Sequence, residues 1–457
     1  MDQSKEVILK ERPPMPDMLA YATYMYGLKA MLSPMLWLRE WSEARNPPEG
    51  CPDVVKTYPC RPSLPIRVFL PASYARANKN TPPTDLPPLP TLFTIHGGGF
   101  CIGHQRDDDE WNRAFANSHT VLVISLNYRK APAHPFPTAL HDLEALYLAA
   151  LDDPSLPIDR TPVSSPNKPT ASANQKRTRT RTALLGFSAG ANLSLSLSLF
   201  PSVQTHPLGL PLAALSIYGH LDLTYPPSQK LPNRPYKPSP HLPLPRGTPR
   251  NHDVLLGLAE AFEWAYVPYG TDLGDPLVSP GASAPPAGRE GEGGLPPFVG
   301  VVGAELDMLA HEGWRLACRL SRERNGKRVV PDRESGEVRW RVCGSVKGQG
   351  GTDQGGEGDR GGKAGLAAMA SRRGELVGLG PGQEDERFAF EEEWGGEDGE
   401  ERGGVKWLLV PDVMHGFDNV HIRSVVGGME TMRDAELKTK AYMKEIGRWL
   451  KEVVWRV

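Results

Sequence analysis

The stretch Thr182-Ala183-Leu184-Leu185-Gly186-Phe187-Ser188-Ala189-Gly190-Ala191-Asn192-Leu193 sets one serine between two glycines, with an apolar run before it and an Ala/Leu-rich run after it. Gly-x-Ser-x-Gly is a weak signal alone, because such a pentapeptide arises often by chance in an ordinary loop. Context raises it. Thr182–Leu185 reads as a strand, and Ala189–Leu199 must then be a helix, because glycine at both flanks permits a turn too sharp for a Cβ and lifts the serine hydroxyl clear of a sheet. Leu193–Leu199 alternates Leu with Ser, as a strand would. The strand–turn–helix logic decides for helix. Ser188 is the candidate nucleophile.

Working outward, short β-branched apolar runs recur with helical segments between them, the pattern of an α/β protein with a mainly parallel sheet flanked by helices. Ile66–Leu70, Thr91–Ile95, Thr120–Leu126, Ala213–Tyr218, Phe298–Val302 and Lys406–Val410 read as strands beside Thr182–Leu185. Thr138–Ala150, His252–Tyr266, His311–Arg324 and Met429–Val454 read as helices.

Nucleophilic serine chemistry needs a base, an acid to orient it, and donors for an oxyanion. Thr91–Ile95 runs into His96-Gly97-Gly98-Gly99-Phe100, whose glycines let the N–H groups of Gly98 and Gly99 turn toward a reacting carbonyl. Ala189 supplies a further N–H at a helix start. A flexible glycine turn is the bland alternative, but it loses force once the glycines and the elbow occur together in this order. Phe298–Val302 leads to Asp307, the candidate acid, with Glu305 as local rival and Asp275 as a distant one. Lys406–Val410 leads to His415, the candidate base, with His421 close by. The order Ser188, Asp307, His415 is the one used by strand-end triads of this type.

The 457 residues carry a net charge of −2, which gives no reason to expect nucleic acid as partner. Five scattered cysteines without a C-x-x-C pair argue against a disulfide scaffold or structural zinc and for a reducing compartment. The charged segment Met1–Arg12 lacks the apolar core of a signal peptide, so a cytoplasmic location is expected. Met18–Trp41 is apolar and aromatic, but Lys29, Pro34 and Arg39 break it as a membrane span. It reads as one or two helices packed over an active site, with peripheral membrane contact as the minority reading.

Much of the abundance of glycine and proline, 47 and 46 residues, lies in three stretches that read as insertions. Asp152–Arg181 ends in a basic cluster, Lys176–Arg181, and reads as a solvated loop; Tyr225–Arg250 is Pro-rich; Gly326–Gly404 is dominated by Gly, Glu, Asp and Arg. The last has too little apolar surface to offset its ordering entropy, so it and 152–181 are expected to be disordered.

With these motifs assembled, the chain resembles the hormone-sensitive-lipase-like esterase family, the α/β hydrolase fold-3 serine hydrolases. The resemblance also rests on Asn127-Tyr128-Arg129-Lys130-Ala131-Pro132, His134–Pro137, Asp142, Asp275–Pro280, Glu312-Gly313 and His415-Gly416-Phe417. It implies an α/β-hydrolase domain over 61–457, N-terminal cap helices within 1–60 and a second cap segment around 222–270. It further implies hydrolysis of small carboxylic esters of short to medium acyl chain, without metal or cofactor. An amide, formamide or lactone is the alternative substrate. A non-catalytic receptor on the same fold is the alternative of another class, disfavoured because receptor relatives lost the histidine that His415 matches. Phe187 stands where the family usually has Asp, Ala133 where it has Glu, and His311 where it has Asp; altered elbow packing is expected at Phe187. Nothing in the sequence fixes the oligomeric state.

Overall fold

The computed structural model describes residues 7–82, 85–163, 179–230, 255–285, 293–325, 330–331, 338–339, 376, 389–395, 402–426 and 429–457. Its centre is a nine-stranded sheet in the order β1-β2-β4-β3-β5-β6-β7-β11-β10. The strands are β1 (Val54–Lys56), β2 (Ile66–Phe69), β3 (Thr91–Ile95), β4 (Leu122–Leu126), β5 (Arg179–Phe187), β6 (Leu210–Ile217), β7 (Phe298–Ala304), β10 (Ala389–Trp394) and β11 (Gly403–Val410), with a separate two-stranded pair, β8 (Val330–Pro331) and β9 (Val338–Arg339). The run from β4 through β3, β5, β6 and β7 to β11 is parallel. β1, β2 and β10 pair antiparallel at the two edges.

Alternation along the strands divides the core between the two faces. Phe93, Ile124 and Leu184 join one buried cluster with α3 (Thr138–Asp152) and α4 (Ala189–Ser198). Leu92, Val123 and Leu185 join the other, with α2 (Asp109–His119) and α7 (Met429–Arg448). Cover on both sides explains why β3, β4, β6, β7 and β11 are buried throughout and read as continuous apolar runs rather than alternating ones. The connections between parallel strands leave their carboxyl ends on one rim, and that rim carries His96, Ser188, Asp307 and His415.

The other long helices are α1 (Met15–Arg45), α5 (Leu256–Tyr266) and α6 (Ala310–Asn325). Met18–Trp41 forms part of one 31-residue helix with Pro34 inside it. Only Met25 of α1 is buried, while Trp37 and Met35 are each 65% exposed. α1 lies against α5, with the Tyr21 hydroxyl donating to Glu260 at 3.0 Å and its ring 6.2 Å from Trp264.

Three expectations need correction. The span 152–181 is not wholly a disordered insertion: Ile158 is buried and bridges Leu89, and Arg179–Arg181 opens β5, where Arg181 donates to Asp159 at 2.8 Å. Residues 164–178 lie outside the described residues. The span 326–404 likewise contains β8, β9 and the edge strand β10. β10 holds its acidic run by ion pairing, since Glu391 accepts from Lys406 at 2.7 Å and Arg448 at 2.9 Å. Finally, the predicted helix 429–454 is α-helical only to Arg448, and Trp449–Trp455 continues as a wider π-turn that buries both tryptophans.

Trp449 packs against Phe298 at 6.2 Å with its ring at 78°, joining the C-terminal segment to the central sheet. Trp449→Ala should lower unfolding free energy by about 3–5 kcal/mol in urea titrations, as expected for truncating a buried aromatic. Trp37→Ala, at an exposed site, should stay within about 0.5 kcal/mol.

Candidate active site

The site begins with backbone geometry. β5 ends at Phe187, and Ser188 adopts φ 55°, ψ −118°, a left-handed conformation uncommon for a residue with a side chain, before α4 starts at Ala189. Such strain is stored where surrounding structure over-determines it. Here the determinant is close approach: a Cβ on Gly190 would sit 2.1 Å from the carbonyl oxygen of Ile95 at the end of β3. The helix therefore starts against the neighbouring strand, and Ser188 is held at its rim, 9% exposed.

The structure brings together the three residues read as nucleophile, base and acid. His415 Nε2 lies 2.8 Å from Ser188 Oγ, and His415 Nδ1 lies 2.7 Å from Asp307 Oδ2. An ionised carboxylate only accepts, so Nδ1 carries the proton, Nε2 is left as an acceptor, and the serine hydroxyl donates to it. Asp307 is fully buried, and its other oxygen accepts from the Leu309 N–H at 2.9 Å, which fixes the carboxylate plane. The two rival acids lie elsewhere. Glu305 accepts from the Asp412 N–H at 2.8 Å, tying the β7 turn to the loop that carries His415. Asp275 accepts from the Leu277 N–H at 2.8 Å within its own turn. His421 is exposed on the helix Val420–Val426.

The glycine loop is anchored from below. His96 is buried, stacked on Tyr128 at 4.5 Å and 7°, with Nδ1 2.7 Å from the Gly97 carbonyl and Nε2 3.2 Å from Asn127 Oδ1. Burial, followed by the nearby Lys130 charge, holds this imidazole well below its ordinary range, so it is neutral. The Tyr128 hydroxyl donates to the His96 carbonyl at 3.2 Å. Gly98 and Gly99 have φ of 107° and 56°, and among the described residues no carbonyl accepts from either N–H. Ala189 opens α4, so its N–H has no intrahelical acceptor. A Cβ on Gly99 would lie 2.2 Å from Phe262 of α5, which shows how closely that helix covers the loop. Phe100 stacks on Tyr266 of the same helix at 3.7 Å.

The unusual positions have plain surroundings. Phe187 is buried beside the nucleophile, edge-on to Trp111 at 5.1 Å and 6.3 Å from Tyr218, so aromatic packing fills the space behind the elbow. Ala133 is exposed. His311 is half-buried, its Nδ1 has no hydrogen-bond partner among the described residues, and burial, with Arg315 nearby, lowers it to about 4. Asp142 would be raised by burial, but hydrogen bonds from Arg129 and Arg61 hold it below the usual range.

Sequence reading passed over Tyr128 as an anchor of the glycine loop and Tyr218 as a neighbour of the base. Tyr218 lies edge-on to the His415 ring at 4.8 Å and 64°. An aromatic at the end of a strand was the only trace of it in the sequence.

Gly190→Ala should lower the yield of folded protein, because the new methyl meets fixed backbone. Soluble expression and a thermal melt check this, with Gly257→Ala on exposed α5 surface, where nothing lies within 4 Å of the added Cβ, as the control expected to behave as wild type.

The family model described as α/β hydrolase fold matches residues 92–338, just over half the chain. The carboxylesterase NlhH of Mycobacterium tuberculosis is 30% identical over 105 residues, covering 22% of this chain and 30% of that protein. The arylacetamide deacetylase of Oryctolagus cuniculus is 29% identical over 125 residues, 27% of this chain and 28% of that one. The chain thus spans under a third of the length of these curated relatives. The solved esterase of Pyrobaculum calidifontis shares the fold, with a TM-score of 0.52 at 17% identity, over 96% of this chain and 99% of that one. On the family match and the sheet order together, the chain belongs to the α/β hydrolase fold-3 family.

Proposed function

We propose that this chain is a serine hydrolase that cleaves small carboxylic esters of short to medium acyl chain through an acyl-enzyme. The observation that carries the reading is the pair of hydrogen bonds at His415, to Ser188 Oγ at 2.8 Å and Asp307 Oδ2 at 2.7 Å. His415 takes the hydroxyl proton as Ser188 attacks the carbonyl, while Asp307 keeps the ring in the donating tautomer and stabilises the imidazolium. The N–H groups of Gly98, Gly99 and Ala189 stabilise the tetrahedral oxyanion. His415 then returns its proton to the leaving alcohol. In deacylation it activates water, and Ser188 is regenerated.

The cap is part of the same proposal. α1 and the segment 222–270, which includes α5, cover the glycine loop and shape the acyl pocket; the contacts of Phe262 and Tyr266 with Gly99 and Phe100 support this. Residues 231–254 of that segment lie outside the described residues. Among the described residues no helix is long and apolar enough to cross a membrane. An amide substrate is the second reading, supported by the similarity to an arylacetamide deacetylase.

Ser188→Ala should abolish the burst of p-nitrophenol from p-nitrophenyl butyrate, and turnover that survives it would remove Ser188 from the reaction. Asp307→Asn should cost roughly 10⁴-fold in kcat, as loss of the productive tautomer does in such triads. Asp275→Asn, which alters a carboxylate bonded within its own turn, should remain within about tenfold of wild type. Comparing kcat/KM on matched ester and anilide substrates separates the two readings, with the ester favoured.

A further inference from the structure

Two hydrogen bonds hold His415, one at each ring nitrogen. A hydrogen bond weakens steeply only when bent below about 120°, so these two leave the ring some latitude about its Cβ–Cγ bond. A ring that turns about Cβ–Cγ shifts Nε2 away from the serine hydroxyl, and catalytic geometry tolerates little such error. Groups packed against the ring narrow that latitude. Tyr218 stands edge-on to the imidazole at 4.8 Å. Its backbone is fixed by φ 39° and by its N–H donating to Val302 of β7 at 2.6 Å.

The tyrosine is itself held from behind. Its hydroxyl donates to Asp418 Oδ1, and the Tyr442 hydroxyl, reaching in from α7, donates to Asp418 Oδ2. Trp111 Nε1 on α2 donates to the Tyr442 oxygen at 2.7 Å. Phe417 packs on both tyrosines, at 6.0 Å from Tyr218 and 5.6 Å from Tyr442. The carboxylate is thus a buried joint between α2, α7, the end of β6 and the His415 loop. Among the described residues, none of these groups is hydrogen-bonded to Ser188 or to the oxyanion donors.

We propose that Asp418 is a positioning residue for the reaction: bridged by two tyrosine hydroxyls, it sets the Tyr218 ring and so the tilt of the His415 imidazole, and places a second negative charge behind the base. This rests on the serine-hydrolase reading above. The charged neighbours are accounted for. Asp108 faces Asp418 from the turn before α2, with Asn419 bonded to it and Asp107 and Asp109 adding like charge. Burial lifts both Asp108 and Asp418 above the usual carboxylate range, Asp108 well above it. Tyr218 and Tyr442 donate to both oxygens of Asp418, the pattern of an ionised acceptor, and these bonds oppose that rise. The tyrosines remain neutral donors, since burial and Asp418 push both well above their ordinary range.

The test is a pH profile of p-nitrophenyl butyrate hydrolysis by the full chain carrying Asp418→Asn. Losing the carboxylate should lower kcat about tenfold with KM within about twofold, as expected for misplacement of a base rather than loss of substrate contacts. Removing a negative charge near the imidazole disfavours its protonated form, so the acid limb of kcat/KM should move to lower pH by about half a unit or more. Tyr218→Phe keeps the ring and removes only its donor, so it serves where Asp418→Asn does not fold; a several-fold fall in kcat with KM within about twofold is expected. In Asp418→Asn, wild-type kcat or an unmoved limb overturns the proposal, since a fall in kcat alone is what a structural role gives; in Tyr218→Phe, wild-type kcat, or a KM that changes as much as kcat, overturns it. A wild-type chain that turns over no ester contradicts the hydrolase reading itself, a separate outcome from a variant that matches an active wild type.

Discussion

The closeness of Gly190 to the Ile95 carbonyl, where a methyl group would come within 2.1 Å, ties the start of α4 to the end of β3. From this contact follow the sharp turn at Ser188, its left-handed backbone and the exit of its hydroxyl at the sheet rim. The parallel order of β3, β5, β6, β7 and β11 then brings the loops after four strands to the same rim. Residues 96, 188, 307 and 415 meet there although hundreds of positions separate them in the chain. Strand pairing, more than local sequence, converts four remote signals into one site.

Around that rim each element is fixed by a partner from another part of the chain. His96 and Tyr128 tie the glycine loop to the loop after β4, Glu305 ties the acid-bearing turn to the base-bearing loop, and Asp418 ties the base-bearing loop to α7 through Tyr442. Buried carboxylates serve as joints because an ionised carboxylate accepts several hydrogen bonds and loses much if any donor is removed. The result is a preorganised arrangement of donors and acceptors, the condition under which electrostatic stabilisation of a transition state is largest.

Most of this was legible because the chemistry needs particular residues at strand ends. Strands β3 to β7 and β11 were readable as apolar runs, and the order Ser188, Asp307, His415 selected among 12 histidines and many carboxylates. Preferring Asp307 over Glu305 by sequence alone rested on order; in the structure Asp307 Oδ2 lies 2.7 Å from His415 Nδ1, while Glu305 meets the Asp412 N–H. What sequence hid has physical causes. β10 is an edge strand whose Glu391, Glu392 and Glu393 look like solvated charge until Lys406 and Arg448 are seen to donate to the first, Ser321 to the second and Arg402 to the third. Arg179 and Arg181 read as a basic loop because the carboxylate of Asp159 that meets Arg181 lies 22 residues away. The Tyr218–Asp418 contact spans 200 residues and leaves no local pattern.

The account stands or falls on the reactivity of one hydroxyl. Mass spectrometry of the chain after treatment with a fluorophosphonate, with peptide mapping of the adduct, measures that reactivity directly. The predicted result is a single adduct on the peptide containing Ser188, formed by the wild type and lost in His415→Ala. An adduct on another serine, or equal labelling of Ser188 without His415, would contradict it.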